Sequence, residues 1–199
     1  MLASINPLVE RSRNSRFGIT FAAFVVGSLA GGALLGGLAG GAGALAREVA
    51  AWSPEATGGA VIALCMVALL LDLRVAGIRL PTVRRQVNED WLTEYRGWLY
   101  GAGFGFQLGM GVVTIVTTAT VYVTFFLAFL AGAVPAGLVV GAVFGLVRAL
   151  PMLLVTRVHD PAQLRCTMRR AQTWAPRAQW AALLSLIAAA TVGIVAVVS

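Results

Sequence analysis

The chain has 199 residues, of which 59% are hydrophobic and 12% charged, and its formal net charge of +7 is carried entirely on arginine, with fifteen basic residues and no lysine. Several runs of about 20 residues are nearly free of charge, which excludes an ordinary soluble domain and describes a polytopic membrane protein. The arginines flank these runs rather than cover a water-facing surface, so the lipid bilayer is the expected partner and nucleic acid is not.

Residues 1–16 form a short N-terminal segment with Arg11, Arg13 and Arg16 just ahead of Phe17. The apolar run that follows is about twice the length of a signal-peptide core, so it is read as a retained helix. From there residues 17–199 read as one integral membrane domain. Spans are expected at Phe17 to Ala46, Gly58 to about Val75, within Gly97 to Ala133, Pro135 to Val155 and Gln179 to Val198. Three arginines precede the first span, five lie between the second and third, and five between the fourth and fifth, whereas Arg47 alone falls on the other side. By the positive-inside rule the N-terminus is cytoplasmic, in an inner (plasma) membrane, and five spans put the C-terminus outside. Gly97 to Ala133 would be about 55 Å long as one helix at 1.5 Å per residue. A hydrocarbon core is only about 30 Å thick. That stretch is therefore one span with an interfacial part, a broken helix, or two short spans that raise the total to six.

The two main cytoplasmic loops share a pattern. In the first, Leu80, Val83, Val87, Trp91, Tyr95 and Trp98 recur at spacings of three and four opposite Arg84, Arg85, Glu89 and Glu94. In the second, Asp160 is suited to an N-cap, Pro161 to the first helical position, and Gln163 nearly completes a capping box ahead of Leu164, Met168, Ala171 and Trp174. Both read as amphipathic helices lying on the inner leaflet. The fold class is thus an all-α membrane helix bundle of five transmembrane helices, or six, with two interfacial helices. Span, outer turn, span and basic amphipathic helix occur over 17–91 and again over 97–174, a pattern repeat offset by about 80 positions of the kind from which transporter folds are often built.

Within Gly97 to Ala133, the residues Gln107, Gly111, Thr114, Thr118 and Tyr122 are spaced four, three, four and four, so on one helix they would form a polar and small stripe. Gly101, Gly105 and Gly109 form a neighbouring ridge, and Gly27 to Gly43 of the first span is richer still in glycine. The stripe either walls a pathway or packs against a helix, and packing is the commoner use of such residues. Short loops and glycine faces also point to a homo-oligomer or to a partner in a membrane complex.

Charges inside spans say more, because each is costly there. Asp72 stands near the end of the second span and Arg148 in the fourth, three residues before Pro151, which should kink the helix by leaving the Val147 carbonyl without its usual donor. Helical rise from the outer ends places Asp72 about 21 Å and Arg148 about 20 Å deep. The matching depths suggest that the two face each other as an ion pair; the alternative has Arg148 snorkelling to headgroups and Asp72 meeting Arg74. Cys65 lies within the second span, Cys166 lies on the second amphipathic helix, and His159 stands next to Asp160. No metal cluster, nucleophile with a base, phosphate loop or carboxylate pair is present in the pattern, so no metal, no cofactor and no enzymatic activity are expected.

At GLVRALPMLL the chain resembles the fifth helix of the CcdA and DsbD type transmembrane thiol-disulfide carriers, where a glycine-rich approach leads to Leu-Pro, and GFGFQLGMGVVT stands in the place of their cysteine-bearing helix. The resemblance covers roughly Gly101 to Val198 and implies membership in the wider LysE-like transporter superfamily, which also includes solute exporters. That family passes electrons through paired cysteines beside prolines, and here the corresponding positions are Gly111, Val112, Val113 and Thr114. No site residue carries over. Three functions follow in order: a small-solute or ion transporter, an accessory or structural subunit of a membrane complex, and a redox carrier of thiol or cytochrome-maturation pathways.

Overall fold

A computed structural model describes residues 17–50, 52–73, 97–111, 119–156 and 160–198. All regular structure among them is helical: α1 (Phe17–Val49), α2 (Pro54–Asp72), α3 (Gly97–Met110), α4 (Thr120–Ala131), α5 (Val134–Ala149) continued by a 3-10 turn (Leu150–Val155), and α6 (Pro161–Val198). Three are long and apolar enough to cross a membrane, namely α1, α2 from Glu55, and α5 with its 3-10 extension to Leu154. The first amphipathic segment, residues 80–98, lies for the most part outside the described residues.

Local chemistry sets the ends. Ser53 caps α2 by accepting from the Ala56 N–H at 3.1 Å, with Pro54 at the helix start and Glu55 in the first turn, so this helix begins ahead of Gly58. The described residues of the stretch from Gly97 to Ala133 form two helices. α3 stops at Met110 because Gly111 takes a left-handed conformation, φ 68°, which ends a helix at no steric cost to glycine. α4 ends likewise at Gly132, φ 59°, and the exposed end of α1 reaches over to it, where the Arg47 guanidinium donates to the Leu130 carbonyl. A cation on the last carbonyls of a helix also suits the negative end of its dipole.

Pro151 falls just after α5. The Val147 carbonyl that proline deprives of an α-helical donor instead accepts from the Leu150 N–H, and the chain tightens into the 3-10 turn. Asp160 accepts from the Ala162 N–H at 3.3 Å and Pro161 opens α6, as expected of an N-cap and first helical position. The second amphipathic segment and the last apolar run are not separate elements, however. They form one helix through Pro176, because the residues around that proline are exposed and water can serve the carbonyl it orphans.

α1 is the axis. On one side it packs against α3 with both chains running the same way, Thr20 opposite Gly101, Phe24 opposite Gly105 and Ser28 opposite Gly109. On another it packs against α5 running the opposite way, Ser28 opposite Gly145, Gly32 opposite Gly141 and Gly36 opposite Gly137. At most of these positions a Cβ would collide with a facing backbone carbonyl, so the helices touch backbone to backbone. Ser28 serves both sides at once: it is fully buried, and its Oγ donates to the Gly145 carbonyl at 2.7 Å. Ser28→Ala should cost about 1 kcal/mol in a thermal unfolding measurement in detergent, and Ser28→Val more, since the larger side chain must also displace a neighbouring backbone.

Two apolar groups fill the remainder. Phe24, Tyr100, Phe104, Ala149 and Met152 join α1, α3 and the end of α5. Cys65, Ala68, Ala119, Val123 and Leu186 join α2, α4 and α6. Leu34, Leu38, Val139, Val143 and Leu184 point outward, as lipid-facing residues do.

Candidate functional site

The break between α3 and α4 comes level with the middle of α1. Gly109 meets the Ser28 carbonyl and Gly32, while a Cβ at Gly111 would lie 3.2 Å from Val121 in the first turn of α4 and 2.9 Å from the Phe144 ring. Phe144 in turn stacks edge-on against Phe125 with ring centroids 4.9 Å apart. A helix that starts there needs a partner for its first N–H groups.

That partner comes from another helix. Ala119 supplies no capping side chain of its own. Asp72, at the end of α2 and only 7% exposed, accepts from the Ala119 N–H through Oδ1 at 2.6 Å. A carboxylate at a helix start gains from both the orphan N–H and the positive end of the dipole. Its other oxygen, Oδ2, is sealed from solvent and has no hydrogen-bond partner among the described residues, and the same is true of the neighbouring Thr120 Oγ1.

Arg148 stands on α5 next to Ala149. Its guanidinium carbon lies 5.5 Å from the centre of the Phe144 ring, within cation–π range. Among the described residues the hydrogen bond of Asp72 thus goes to the start of α4 and not to Arg148. Gln107 is half-buried on α3 and Tyr122 half-buried on α4, so they stand on two helices rather than along one; Gly111 follows the end of α3, and Thr114 and Thr118 lie outside the described residues. Pro151 is exposed at the start of the 3-10 turn.

Residue order assigns no role to Ala119 or Thr120 and gives Arg47 only a topological one. Only an indirect signal existed for the first two, namely that an acid inside a span must find a donor. No group of three His, Cys, Asp or Glu residues able to hold a metal occurs among the described residues. Both cysteines are free, Cys65 buried within α2 and Cys166 exposed on α6.

No family model matches the chain, and no solved structure matches it. Among curated proteins it is similar to the methylamine utilization protein MauF of Methylophilus methylotrophus, with 34% identity over 141 residues, covering 69% of this chain and 48% of that protein. The chain spans about half the length of this relative.

Proposed function

We propose that the protein is a multi-pass accessory subunit of a membrane system, of the kind that serves amine utilisation. The likeness to MauF over most of the chain carries this reading. The packing agrees with it: Gly101, Gly105 and Gly109 of α3 and Gly137, Gly141 and Gly145 of α5 are spent on α1 inside the chain. We read the topology as five spans counting the apolar end of α6, or six if α3 and α4 each count as one, in the inner membrane with the N-terminus in the cytoplasm. The parallel pairing of α1 with α3, whose facing residues differ by about 80 in number, supports the repeat of 17–91 in 97–174.

Transport of a small solute or ion is the second reading. It is favoured by the interrupted helix and the buried carboxylate at the break, since discontinuous helices commonly bind ions through their freed ends. The resemblance to CcdA and DsbD type carriers at GLVRALPMLL brings no active-site residue with it. A thiol-redox role would fall to Cys65 and Cys166, which stand on different helices.

Purification of the tagged protein from its own membranes in mild detergent, followed by mass measurement and identification of co-purifying chains, tests the assignment. A stoichiometric second protein is expected. A lone monomer or homo-oligomer that moves ions when reconstituted into vesicles would replace the subunit reading with transport.

A further inference from the structure

We propose that the arginine-bearing half of α6 is a binding face for anionic phospholipids, whose headgroup phosphates it takes up where the helix leaves the hydrocarbon. The proposal goes beyond the subunit and transport readings and rests on one part of the topology, namely that the apolar end of α6 spans the membrane.

α6 has 38 residues, about 57 Å at 1.5 Å per residue. That is nearly twice the roughly 30 Å of a hydrocarbon core. Its two halves differ in composition. Residues 181–198 carry no charge, Leu183 and Leu186 are buried, and Leu186 packs in one group with Cys65 and Ala68 of α2. This run is about 27 Å long, close to what the core needs. Residues 161–180 therefore stand at and beyond the headgroups. They carry all four arginines of the helix, Arg165, Arg169, Arg170 and Arg177, and each is exposed. No acidic residue occurs in α6, so none of the four has a partner within its own helix.

At about 100° per residue the four arginines fall within about 140° of one another around the helix axis, and Trp174 and Trp180 bring the set to about 180°, one side of the helix. Both indoles are exposed, at 63% and 66%, and the Arg177 guanidinium between them lies 5.6 Å from the Trp174 ring centre, in cation–π range. An acidic protein surface would satisfy the arginines alone. The tryptophans favour lipid, because they stand within about 10 Å of the apolar run along the axis, and tryptophan at the junction of a spanning helix with water sits at headgroup level. Guanidinium groups match pairs of phosphate oxygens, and several basic residues beside a span attract an anionic leaflet.

The test is native mass spectrometry of the whole protein in mild detergent, offered equimolar phosphatidylglycerol and phosphatidylcholine with matched acyl chains. Phosphatidylglycerol adducts should exceed phosphatidylcholine adducts by about fivefold or more. Changing Arg165→Gln, Arg169→Gln, Arg170→Gln and Arg177→Gln together should remove most of that excess with circular dichroism and elution volume unchanged. Equal binding of the two lipids, or an excess undiminished in the variant, would overturn the proposal. Displacement of the lipid by excess inorganic phosphate would overturn it in favour of a small-anion site, and loss of a co-purifying acidic protein from the variant with the lipid excess intact would overturn it in favour of a protein partner. A second measurement needs no arginine variant: Cys166 is exposed on the same side of the helix, and its reaction with N-ethylmaleimide should be slower in phosphatidylglycerol nanodiscs than in phosphatidylcholine ones, equal rates counting against the proposal. The spanning of α6 is checked separately in sealed membranes, where an impermeant maleimide should reach Cys166 and the cysteine of Ser199→Cys from opposite faces. Labelling of both from one face would overturn the span and the proposal with it; labelling from opposite faces without a lipid preference would overturn the proposal alone.

Discussion

Gly36→Val is expected to abolish recovery of folded protein, while Gly59→Ala is expected to leave recovery unchanged or raise it slightly. A side chain at Gly36 would run into the Gly137 carbonyl and the backbone of Gly141, neither of which can move without prising α5 from α1. Overpacking that a flexible side chain can absorb costs about 1–3 kcal/mol. Here backbone must give, so the loss should reach or exceed the upper end of that range, a large share of the total stability of a typical domain. Gly59 is exposed on α2, and a methyl group placed there would have nothing within 4 Å. Alanine at that position gains about 1 kcal/mol of helix propensity. Size-exclusion profiles of the two variants, expressed side by side, distinguish an interface glycine from an idle one. Equal recovery of both would mean that α1 and α5 do not meet at Gly36.

Asp72→Ala should lower the unfolding free energy by about 1.5–3 kcal/mol, the range for losing a buried hydrogen bond to a charged group. The Ala119 N–H would be left at the start of a helix with no cap. Asp72→Asn should cost less than about 1 kcal/mol, because an amide oxygen can still accept from Ala119 and the orphaned oxygen no longer carries charge. Combined with Arg148→Ala, the loss from Asp72→Ala should be additive to within about 0.5 kcal/mol, since Asp72 acts on α4 and Arg148 lies against Phe144 on α5. A coupling well above that value would show that the two charges interact directly and that the capping role of Asp72 is secondary. Denaturation in mild detergent followed by tryptophan fluorescence supplies all four free energies of the cycle.

Much of this architecture could be read from residue order. Long charge-free runs marked the apolar helices, since only a helix satisfies its own backbone in lipid, and Asp160-Pro161 marked a helix start through its cap, whereas Ser53 and Pro54 start α2 ahead of the expected Gly58. The small-residue spacing of Gly101, Gly105 and Gly109 announced a close helix contact, although not its partner. Length alone raised the doubt about Gly97 to Ala133, and Gly111 resolves it: a glycine can continue a helix or end it in the left-handed region, and neighbouring residues do not say which. For the same reason Gln107 and Tyr122, counted on one unbroken helix, stand on two.

By itself, then, the sequence determined an all-helical chain with helices long and apolar enough to cross a membrane, and which faces must lie close, because hydrophobic length and side-chain size are local properties. Tertiary structure alone decided which helix each glycine ridge meets and what Asp72 does. Equal depth along two spans made an ion pair with Arg148 reasonable, but depth is one coordinate, and a buried charge is satisfied by whichever donor the packing of all the helices brings within about 3 Å. That donor proved to be a backbone N–H, freed by the break between α3 and α4 and presented to α2 only once the bundle has formed.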